Sequence, residues 1–247
     1  MANVTICYRN IFETGTTTST DENTSYPLYR TYDRDIGKLF KFNTHGANLY
    51  VKVNQGASSY QVSRLIIPVG HTLNGLNLKL QYSTTGAYGG EQVDALSWAQ
   101  ADALVINKTF AAQTKQYWRF LITSDPAAPP EMPEIYLTDD YVFEENVSID
   151  VVEGTQRNVK REETLSGRVR KIKLGYPREA RNYSLRAITA AQKTNIEAWE
   201  TVYDGTKDFY ILDHNGDLLF CENLTDIEFR YVTSILTNVE MDLLQVL

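Results

Sequence analysis

The stretch from Ser63 to Ser83 limits the fold of this chain more than any other part of the sequence. Leu65–Ile67 is a short, fully apolar run of the kind that a buried strand uses, and Pro68 ends it because proline cannot donate to a central ladder. Gly75 favours a turn. Leu76–Tyr82 then alternates apolar and polar residues with a period of two. The pattern predicts two strands joined by a turn, at the centre of a β-sandwich.

The bulk composition narrows the class of protein. A length of 247 residues suits one large β-domain or two ordinary ones. A hydrophobic content of 43% and a charged content of 22% are typical of a soluble globular protein. The net charge of −7 disfavours sequence-specific binding of nucleic acid, which usually needs a basic excess.

The sequence shows no sign of a membrane partner. The first residues lack the basic start and apolar run of a signal peptide, and no apolar stretch approaches the roughly 18 residues that suggest a membrane helix. We therefore expect a protein that is made and kept inside a cell, unless it leaves as part of a larger assembly.

The first half of the chain reads as strands separated by polar segments. Val4–Tyr8 is a predicted strand, and the polar tract Thr14–Glu22 is predicted to be a loop or a flexible arm. Ser83–Gly90 is a Gly-rich loop without the Lys-Ser/Thr pair of a phosphate cradle. Gln92–Ala103 is read as one short helix. Tyr117–Thr123 is a strong strand, with Trp118, Phe120 and Ile122 on one face.

The net charge changes sign within the second half of the chain. Residues 151–190 hold ten basic and four acidic residues, whereas residues 191–247 hold three basic and eleven acidic ones. Opposite patches on one protomer can pair head to tail between copies, so the sequence favours an interface between subunits. Contact of the basic stretch with nucleic acid is the alternative.

The clearest helix runs from Thr189 to Tyr203. Thr189 and Gln192 have the spacing of a capping box, and Ile196, Trp199 and Tyr203 fall on one face. Strands surround this helix, and one pair of them is joined at Asn215-Gly216, a strong signal for a type I′ hairpin. We divide the chain into an N-terminal strand and flexible arm (1–35), a β-sandwich (36–148) and a β-barrel with the helix (149–247).

No motif for catalysis or metal binding emerges. Asp213–Asp217 begins like an EF-hand loop, but its glycine stands at position four instead of six. The three histidines are far apart in sequence, and no nucleophile motif is present. Cys7 and Cys221 are interpreted as reduced, apolar fillers. We expect no catalytic residue, no metal site and no cofactor, and therefore not an enzyme.

Aromatic residues near the Gly-rich loop suggest a glycan as a candidate ligand. Sandwich-type carbohydrate binders stack sugars on exposed aromatic rings, although most aromatic residues of a β protein pack in its core. The candidate sugar contacts are Tyr82, Tyr88 and Trp98.

Residues 36–145 resemble a known type of domain. The run Arg64–Gly75, the strand Tyr117–Thr123 and the segment from Pro129-Pro130 to Leu137 resemble the galactose-binding-like (discoidin-type) jelly rolls found in bacteriophage structural proteins. The resemblance implies a jelly-roll β-sandwich. None of the sugar-binding residues of that family has a counterpart that we identify in this sequence.

The second half resembles the β-barrel of phage tail-tube and distal-tail proteins. Two strands within Gly167–Ile188, the helix from Thr189 and the strand Phe209–Asp213 follow the order of that fold. The resemblance implies a homo-oligomeric ring, with a hexamer favoured, around the tail channel. It also implies other phage tail proteins as partners, a location in the virion tail, and synthesis in the host cytoplasm.

These observations give two hypotheses from different classes. The first is a non-enzymatic virion structural protein of a phage tail or baseplate, mainly β, whose C-terminal barrel forms the ring. The second is a carbohydrate-binding module or an adhesin subunit. The candidate residues of the oligomer interface are Arg168, Arg170, Lys171, Lys173, Glu228 and Glu240.

Overall fold

A computed structural model describes residues 3–57, 59–143, 152–157, 159–163, 169–173, 176–225, 227–233 and 236–246. The fold is mainly β, as the sequence predicts. Contacts divide the chain into two compact units, which we call the sandwich unit (Arg9–Asp140) and the terminal unit (Met1–Tyr8 with Tyr141–Leu247). The predicted boundary at residues 148 and 149 lies outside the described residues.

The helices are α1 (Ile11–Thr14) and α2 (Ala190–Tyr203), and a short 3₁₀ helix covers Leu28–Thr31. The strands of the sandwich unit are β2 (Thr16–Ser19), β3 (Phe40–Lys41), β4 (Leu49–Asn54), β5 (Gln61–Ile67), β6 (Asn77–Ser83), β7 (Val93–Ala99), β8 (Ile106–Thr114), β9 (Tyr117–Ile122), β10 (Glu131–Met132) and β11 (Tyr136–Thr138). The strands of the terminal unit are β1 (Thr5–Cys7), β12 (Tyr141–Val142), β13 (Val152–Gln156), β14 (Val159–Glu163), β15 (Val169–Lys173), β16 (Arg178–Ile188), β17 (Phe209–Leu212), β18 (Leu218–Asn223), β19 (Phe229–Tyr231) and β20 (Thr237–Gln245).

Two main antiparallel sheets form the sandwich unit. One has the order β2-β4-β9-β6-β7, and the other has the order β11-β5-β8, while β3 and β10 form a separate pair. The predicted strong strand Tyr117–Thr123 is confirmed as β9, and it pairs with β4 on one edge and with β6 on the other. Its Trp118, Phe120 and Ile122 are fully buried in the core.

The two predicted strands of the opening stretch are confirmed, and turns lie between them at Gly70 and Gly75. The strands do not pair as a hairpin, because β5 lies in the three-stranded sheet and β6 lies in the five-stranded sheet. Leu65 and Ile67 of β5 belong to the same hydrophobic core as Leu78 and Leu80 of β6. The connection between the strands is too long for a tight hairpin and carries the chain from one sheet to the other.

Two predicted elements take another form. Val93–Ala99, which lies in the predicted helix Gln92–Ala103, is strand β7, and Trp98 lies opposite Leu78 of β6. Pairing with a sheet outweighs the modest helix preference of the alanines. Thr16–Ser19, within the predicted loop or flexible arm, is strand β2 and pairs with β4 along its whole length.

The terminal unit contains a larger sheet with the order β12-β1-β17-β18-β20-β16-β13. Strand β20 pairs with β16 on one edge and with both β18 and β19 on the other. The pairings of the described strands do not join β12 to β13, so the closed barrel stays a prediction. Strands β14 and β15 pair with each other in a separate two-stranded sheet.

Helix α2 confirms the predicted capping box. The Thr189 hydroxyl accepts a hydrogen bond from the Gln192 backbone, and the Gln192 side chain accepts one from the Thr189 backbone. One face of the helix buries Ile196, Trp199 and Tyr203. The ring centroid of Trp199 lies 5.0 Å from that of Phe209 in an edge-on contact, which anchors the helix on β17.

The predicted hairpin at Asn215-Gly216 is confirmed, but its predicted type I′ turn is wrong. A type I′ turn needs positive φ at both central residues. Gly216 has φ of +89°, whereas Asn215 does not belong to the residues with positive φ. The carboxylate of Asp213 accepts hydrogen bonds from the backbone of Asn215 and Asp217, at 2.8 and 2.9 Å, and it therefore holds the turn in another form.

Both cysteines are reduced and enclosed in the core, which confirms their interpretation as reduced, apolar fillers. Burial raises the pKa of the Cys221 thiol to about 12, so the reactive thiolate is scarce at neutral pH. No helix in the described part of the chain combines the length and the apolar character needed to cross a membrane.

Glu134 is a buried carboxyl group of the sandwich unit. Its side chain has no exposed surface, and neither of its oxygens has a hydrogen-bond partner of ordinary geometry among the described residues. The Asn10 amide lies close enough to lower the pKa of Glu134 but donates its hydrogen bond to the carbonyl of Ile135. Burial raises the pKa of Glu134 from 4.5 to about 8, although the Arg34 guanidinium opposes the shift.

This shift predicts a pH-dependent stability. Between about pH 5 and 8 the folded chain keeps a proton on Glu134 that the unfolded chain releases, so the free energy of unfolding should fall as the pH rises. Glu134→Gln should remove this slope and should raise the stability at pH 8 by on the order of 3 kcal/mol. Urea denaturation of the full chain, in a Trp199→Phe background so that fluorescence reports the sandwich unit, measures both effects.

Glu131→Gln is the matched control. The Glu131 carboxylate is partly exposed and lies 2.5 Å from the Lys41 ammonium. This variant should keep the wild-type slope between pH 5 and 8. An unchanged slope in Glu134→Gln would show that Glu134 is not the group that titrates.

Candidate functional site

The five-stranded sheet has one polar face, which we call the outer face. Alternation along β4, β6 and β9 directs Val51, Leu80 and Phe120 into the core and the residues between them outward. Adjacent strands therefore place their outward side chains next to one another. The outer face consists of Thr16, Thr18, Tyr50, Lys52, Asn54, Lys79, Gln81, Asp94, Tyr117 and Arg119.

A chain of hydrogen bonds crosses the outer face. Arg119 donates two hydrogen bonds to the Gln81 carbonyl, at 3.0 and 2.5 Å. The Gln81 amide donates to Asp94 at 2.5 Å, and Lys79 binds the other oxygen of Asp94 at 2.7 Å. Burial raises the pKa of Asp94, but the hydrogen bonds from Lys79 and Gln81 outweigh it and keep this pKa below its ordinary value. The network fixes four side chains in place.

Arg119 also contacts two aromatic rings. Its guanidinium carbon lies 4.1 Å from the ring centroid of Tyr88 and 5.6 Å from that of Tyr50. Such contacts are favourable because the ring face carries negative charge. Tyr88 belongs to the loop after β6, so the contact holds this loop against the sheet.

Glu91 organises the same loop. Its carboxylate accepts hydrogen bonds from the Ser83 and Thr85 hydroxyls, at 2.6 and 3.0 Å. It also accepts from the backbone amides of Thr84 and Tyr88, at 3.2 and 3.0 Å. These contacts, that of Ser83 first, lower the pKa of Glu91. Two of the loop amides therefore point at a carboxylate of the chain itself, which agrees with the predicted lack of a phosphate cradle.

The loop and the sheet enclose a groove of about 230 Å³, which we call the Tyr88 groove. The hydroxyl of Tyr88 is buried and has no hydrogen-bond partner among the described residues. The groove is lined by Thr16, Thr18, Lys52, Val53, Asn54, Thr85, Gly86, Tyr88 and Tyr117.

The structure does not bring the three predicted sugar contacts together. Tyr88 lies on the outer face, whereas Tyr82 and Trp98 pack on the core side of the sheet. The rings of Tyr82 and Trp118 lie 5.4 Å apart, and the Trp98 indole donates to Gln100 at 3.0 Å. The predicted site residues do not include Lys52, Asn54 and Arg119, although the alternation along β4 and β9 indicates that these side chains point outward.

The predicted interface residues fall into two groups. Glu228 and Glu240 line one groove of about 720 Å³ on the terminal unit, together with Asp242, Arg186 and Arg230. On strand β15, Lys171 is exposed. The backbones of Arg170 and Lys173 belong to the same strand, but their side chains and the whole of Arg168 lie outside the described residues.

A cluster of Glu153, Asp213 and His214 also lies on the terminal unit. One ligand atom from each lies within 4.8 Å of the others. The Nε of Arg181 lies 3.6 Å from Glu153 and 3.7 Å from Asp213, so a cation of the chain already balances the two carboxylates. The sequence reasoning missed this grouping because Glu153 is far from the hairpin in sequence and reaches it only through sheet pairing.

Comparisons with known proteins give structural likenesses only. No protein-family model and no curated protein matches the chain. Chitosan-binding module 1 of a chitosanase/glucanase from Paenibacillus sp. IK-5 is similar over 53% of this chain and 98% of its own, with 17% identity and a TM-score of 0.46. Module 2 of that enzyme, in complex with chitotriose, is similar over 52% of this chain and 99% of its own, with 16% identity and a TM-score of 0.45.

A third similar structure is CpGH89CBM32-5 from Clostridium perfringens, in complex with GalNAc-β-1,3-galactose. The likeness covers 50% of this chain and 94% of that chain, with 10% identity and a TM-score of 0.42. The first two structures are named chitosan-binding modules, and the second and third are complexes with carbohydrates.

Gly86 gives a direct test of the loop geometry. It has φ of +77°, and an added methyl group would lie 2.6 Å from a ring carbon of Tyr117. Gly86→Ala should therefore lower the free energy of unfolding by on the order of 2 kcal/mol and should speed hydrogen exchange in the loop. Urea denaturation and hydrogen exchange of the full chain measure these effects.

Gly75→Ala is the matched control, because Gly75 has the same φ of +77° with no atom within 4 Å of an added methyl group. It should cost about 1 kcal/mol from backbone strain alone. Equal effects of the two substitutions would contradict the tight packing of the loop on Tyr117.

Proposed function

We propose that the sandwich unit is a non-catalytic glycan-binding module and that its ligand lies in the Tyr88 groove. The observation that carries this proposal is the lining of the groove. The lining combines two tyrosines, Tyr88 and Tyr117, with side chains that carry hydroxyl, amide and ammonium groups. A sugar ring needs this combination, because its C–H face packs on an aromatic ring while its hydroxyls exchange hydrogen bonds with polar side chains.

The size of the groove suits a small part of a glycan. Its volume of about 230 Å³ lies below the range of roughly 300–1,000 Å³ that is usual for drug-sized ligands. A single sugar residue would fill it, and the neighbouring units of a glycan would lie along the open outer face.

Contacts within the chain hold the walls of the groove in place. Glu91 fixes the loop through four hydrogen bonds, and Arg119 fixes Tyr88 from below. A site whose side chains are already ordered loses less conformational entropy on binding. Pre-formation therefore favours ligand binding even with the modest contact area of a sugar.

Tyr88→Ala tests this proposal. It removes a groove wall and the only candidate sugar contact on the outer face, so affinity for a glycan should fall about tenfold or more. A glycan array with the full chain identifies a ligand, and calorimetry with that ligand measures the affinity of each variant.

Tyr29→Ala serves as the control, because Tyr29 is about half exposed and does not line the groove. It should bind as the wild type does. Failure of the wild-type chain to bind any glycan would refute the proposed function, and equal affinity in Tyr88→Ala would refute the proposed location.

Self-assembly through the terminal unit is a second candidate function, and a role in a phage tail would build on it. One observation favours it. Two of the predicted interface residues, Glu228 and Glu240, line the same wide groove. The groove has three carboxylates against the two arginines Arg186 and Arg230, and this excess of negative charge could receive the basic strand β15 of another copy.

Charge reversal tests the assembly. If the wild-type chain forms an oligomer, Glu228→Lys with Glu240→Lys should lower its mass, and so should the joint reversal of Arg168, Arg170 and Lys171. Light scattering coupled to size exclusion measures the mass at several protein concentrations. A monomeric wild type, or an oligomer that survives both reversals, would contradict this second function.

A further inference from the structure

The Tyr88 groove carries an uncompensated positive charge. Lys52 is the one charged side chain among the described residues that line it. Its ammonium lies 5.7 Å from the ring centroid of Tyr50, and no carboxylate among the described residues forms an ion pair with it. The groove thus presents a cation although the chain as a whole has a net charge of −7.

Two acidic residues belong to the outer face and its loop. Asp94 is paired with the ammonium of Lys79 at 2.7 Å. Glu91 accepts hydrogen bonds from neutral hydroxyls and backbone amides of the loop, so it keeps its negative charge. Neither carboxylate forms an ion pair with Lys52.

Arg119 adds a second positive charge under the groove. Its guanidinium stacks on Tyr88 and hydrogen-bonds to the neutral amide of Gln81. The negative charges of Asp94 and Glu91 act on Arg119 and oppose the lowering of its pKa by burial. Because Asp94 is already paired with Lys79, Lys52 and Arg119 give two positive charges beside the groove against the one unpaired carboxylate of Glu91. The balance is positive and attracts anions.

We infer that the ligand of the Tyr88 groove is an acidic sugar residue whose carboxylate pairs with Lys52. This inference rests on the proposed function and deepens it, because it names the class of glycan. Carboxylates accept charge-assisted hydrogen bonds from ammonium groups, and Thr16, Thr18 and Asn54 supply further polar groups for the sugar hydroxyls. A neutral sugar would leave the positive charge of the groove without a counterpart.

The test compares acidic and neutral glycans on the full chain. An array with uronate-containing, sialylated, sulfated and neutral glycans is probed with the wild type, with Lys52→Met and with Lys108→Met. Lys108 is exposed and lies on β8 of the other sheet, so it controls for the loss of any surface charge. Thermal denaturation of each variant checks that it is folded.

We expect the strongest wild-type ligands to carry a carboxylate. Reduction of that carboxylate to a hydroxymethyl group should weaken binding about tenfold, and Lys52→Met should do the same. Lys108→Met should bind as the wild type does. Rising salt should weaken the wild-type complex more than the Lys52→Met complex, in which only Arg119 still attracts the anion.

The outcomes separate the inference from the proposed function. Preference for neutral or sulfated glycans overturns the acidic-sugar inference and leaves glycan binding intact. Full affinity of Lys52→Met for an acidic glycan also overturns it. If the wild type binds no glycan at all, the proposed function itself fails.

Discussion

The sandwich unit depends on the alternation of side chains along β9. This strand pairs on both edges, with β4 and with β6, so its backbone position is fixed by two ladders. Trp118 and Phe120 fill the core on one side, while Tyr117 and Arg119 stand on the other. Because one strand supplies both sets, any shift of its register would empty the core and dismantle the groove together.

The sequence best predicts those elements whose stabilising contacts lie within a few residues of one another. The capping box of Thr189 and Gln192 predicts α2 almost to the residue, since both hydrogen bonds form within one turn. The sequence does not predict strand β7, because its strand form depends on pairing with β6, which lies elsewhere in the sequence. It does not predict the separation of β5 from β6 either, because the opening stretch does not show which sheet each strand will join.

The site divides in the same way. Tyr82 shares the phase of Leu78 and Leu80 in β6, so the alternation already indicates a core position. Its prediction as a sugar contact relied on its position next to the Gly-rich loop. Lys52 and Arg119 are out of phase with their buried neighbours and could be predicted to face outward. Tyr88 lies in a loop with no periodicity, so its stacking on Arg119 can be known only from the structure.

In the fold, the basic and acidic segments of the terminal unit lie next to each other within one chain. Strand β16 from the basic segment lies beside β20 from the acidic one, so opposite charges meet within a single chain. Arg178 binds Glu222 at 2.7 Å, and Arg181 faces Asp213 at 3.7 Å. Ion pairs within one protomer therefore account for part of the charge asymmetry that suggests an intersubunit interface.

The enclosure of both cysteines has a practical consequence. Cys7 and Cys221 are at most 1% exposed, and the raised pKa of Cys221 keeps its thiol protonated at neutral pH. A maleimide reagent would therefore find little to react with on the native chain. A single cysteine introduced at an exposed position, such as Ser97 on β7, would accept a dye or spin label selectively without removal of the natural thiols. Such a label would stand on an edge strand of the five-stranded sheet, which also carries the Tyr88 groove.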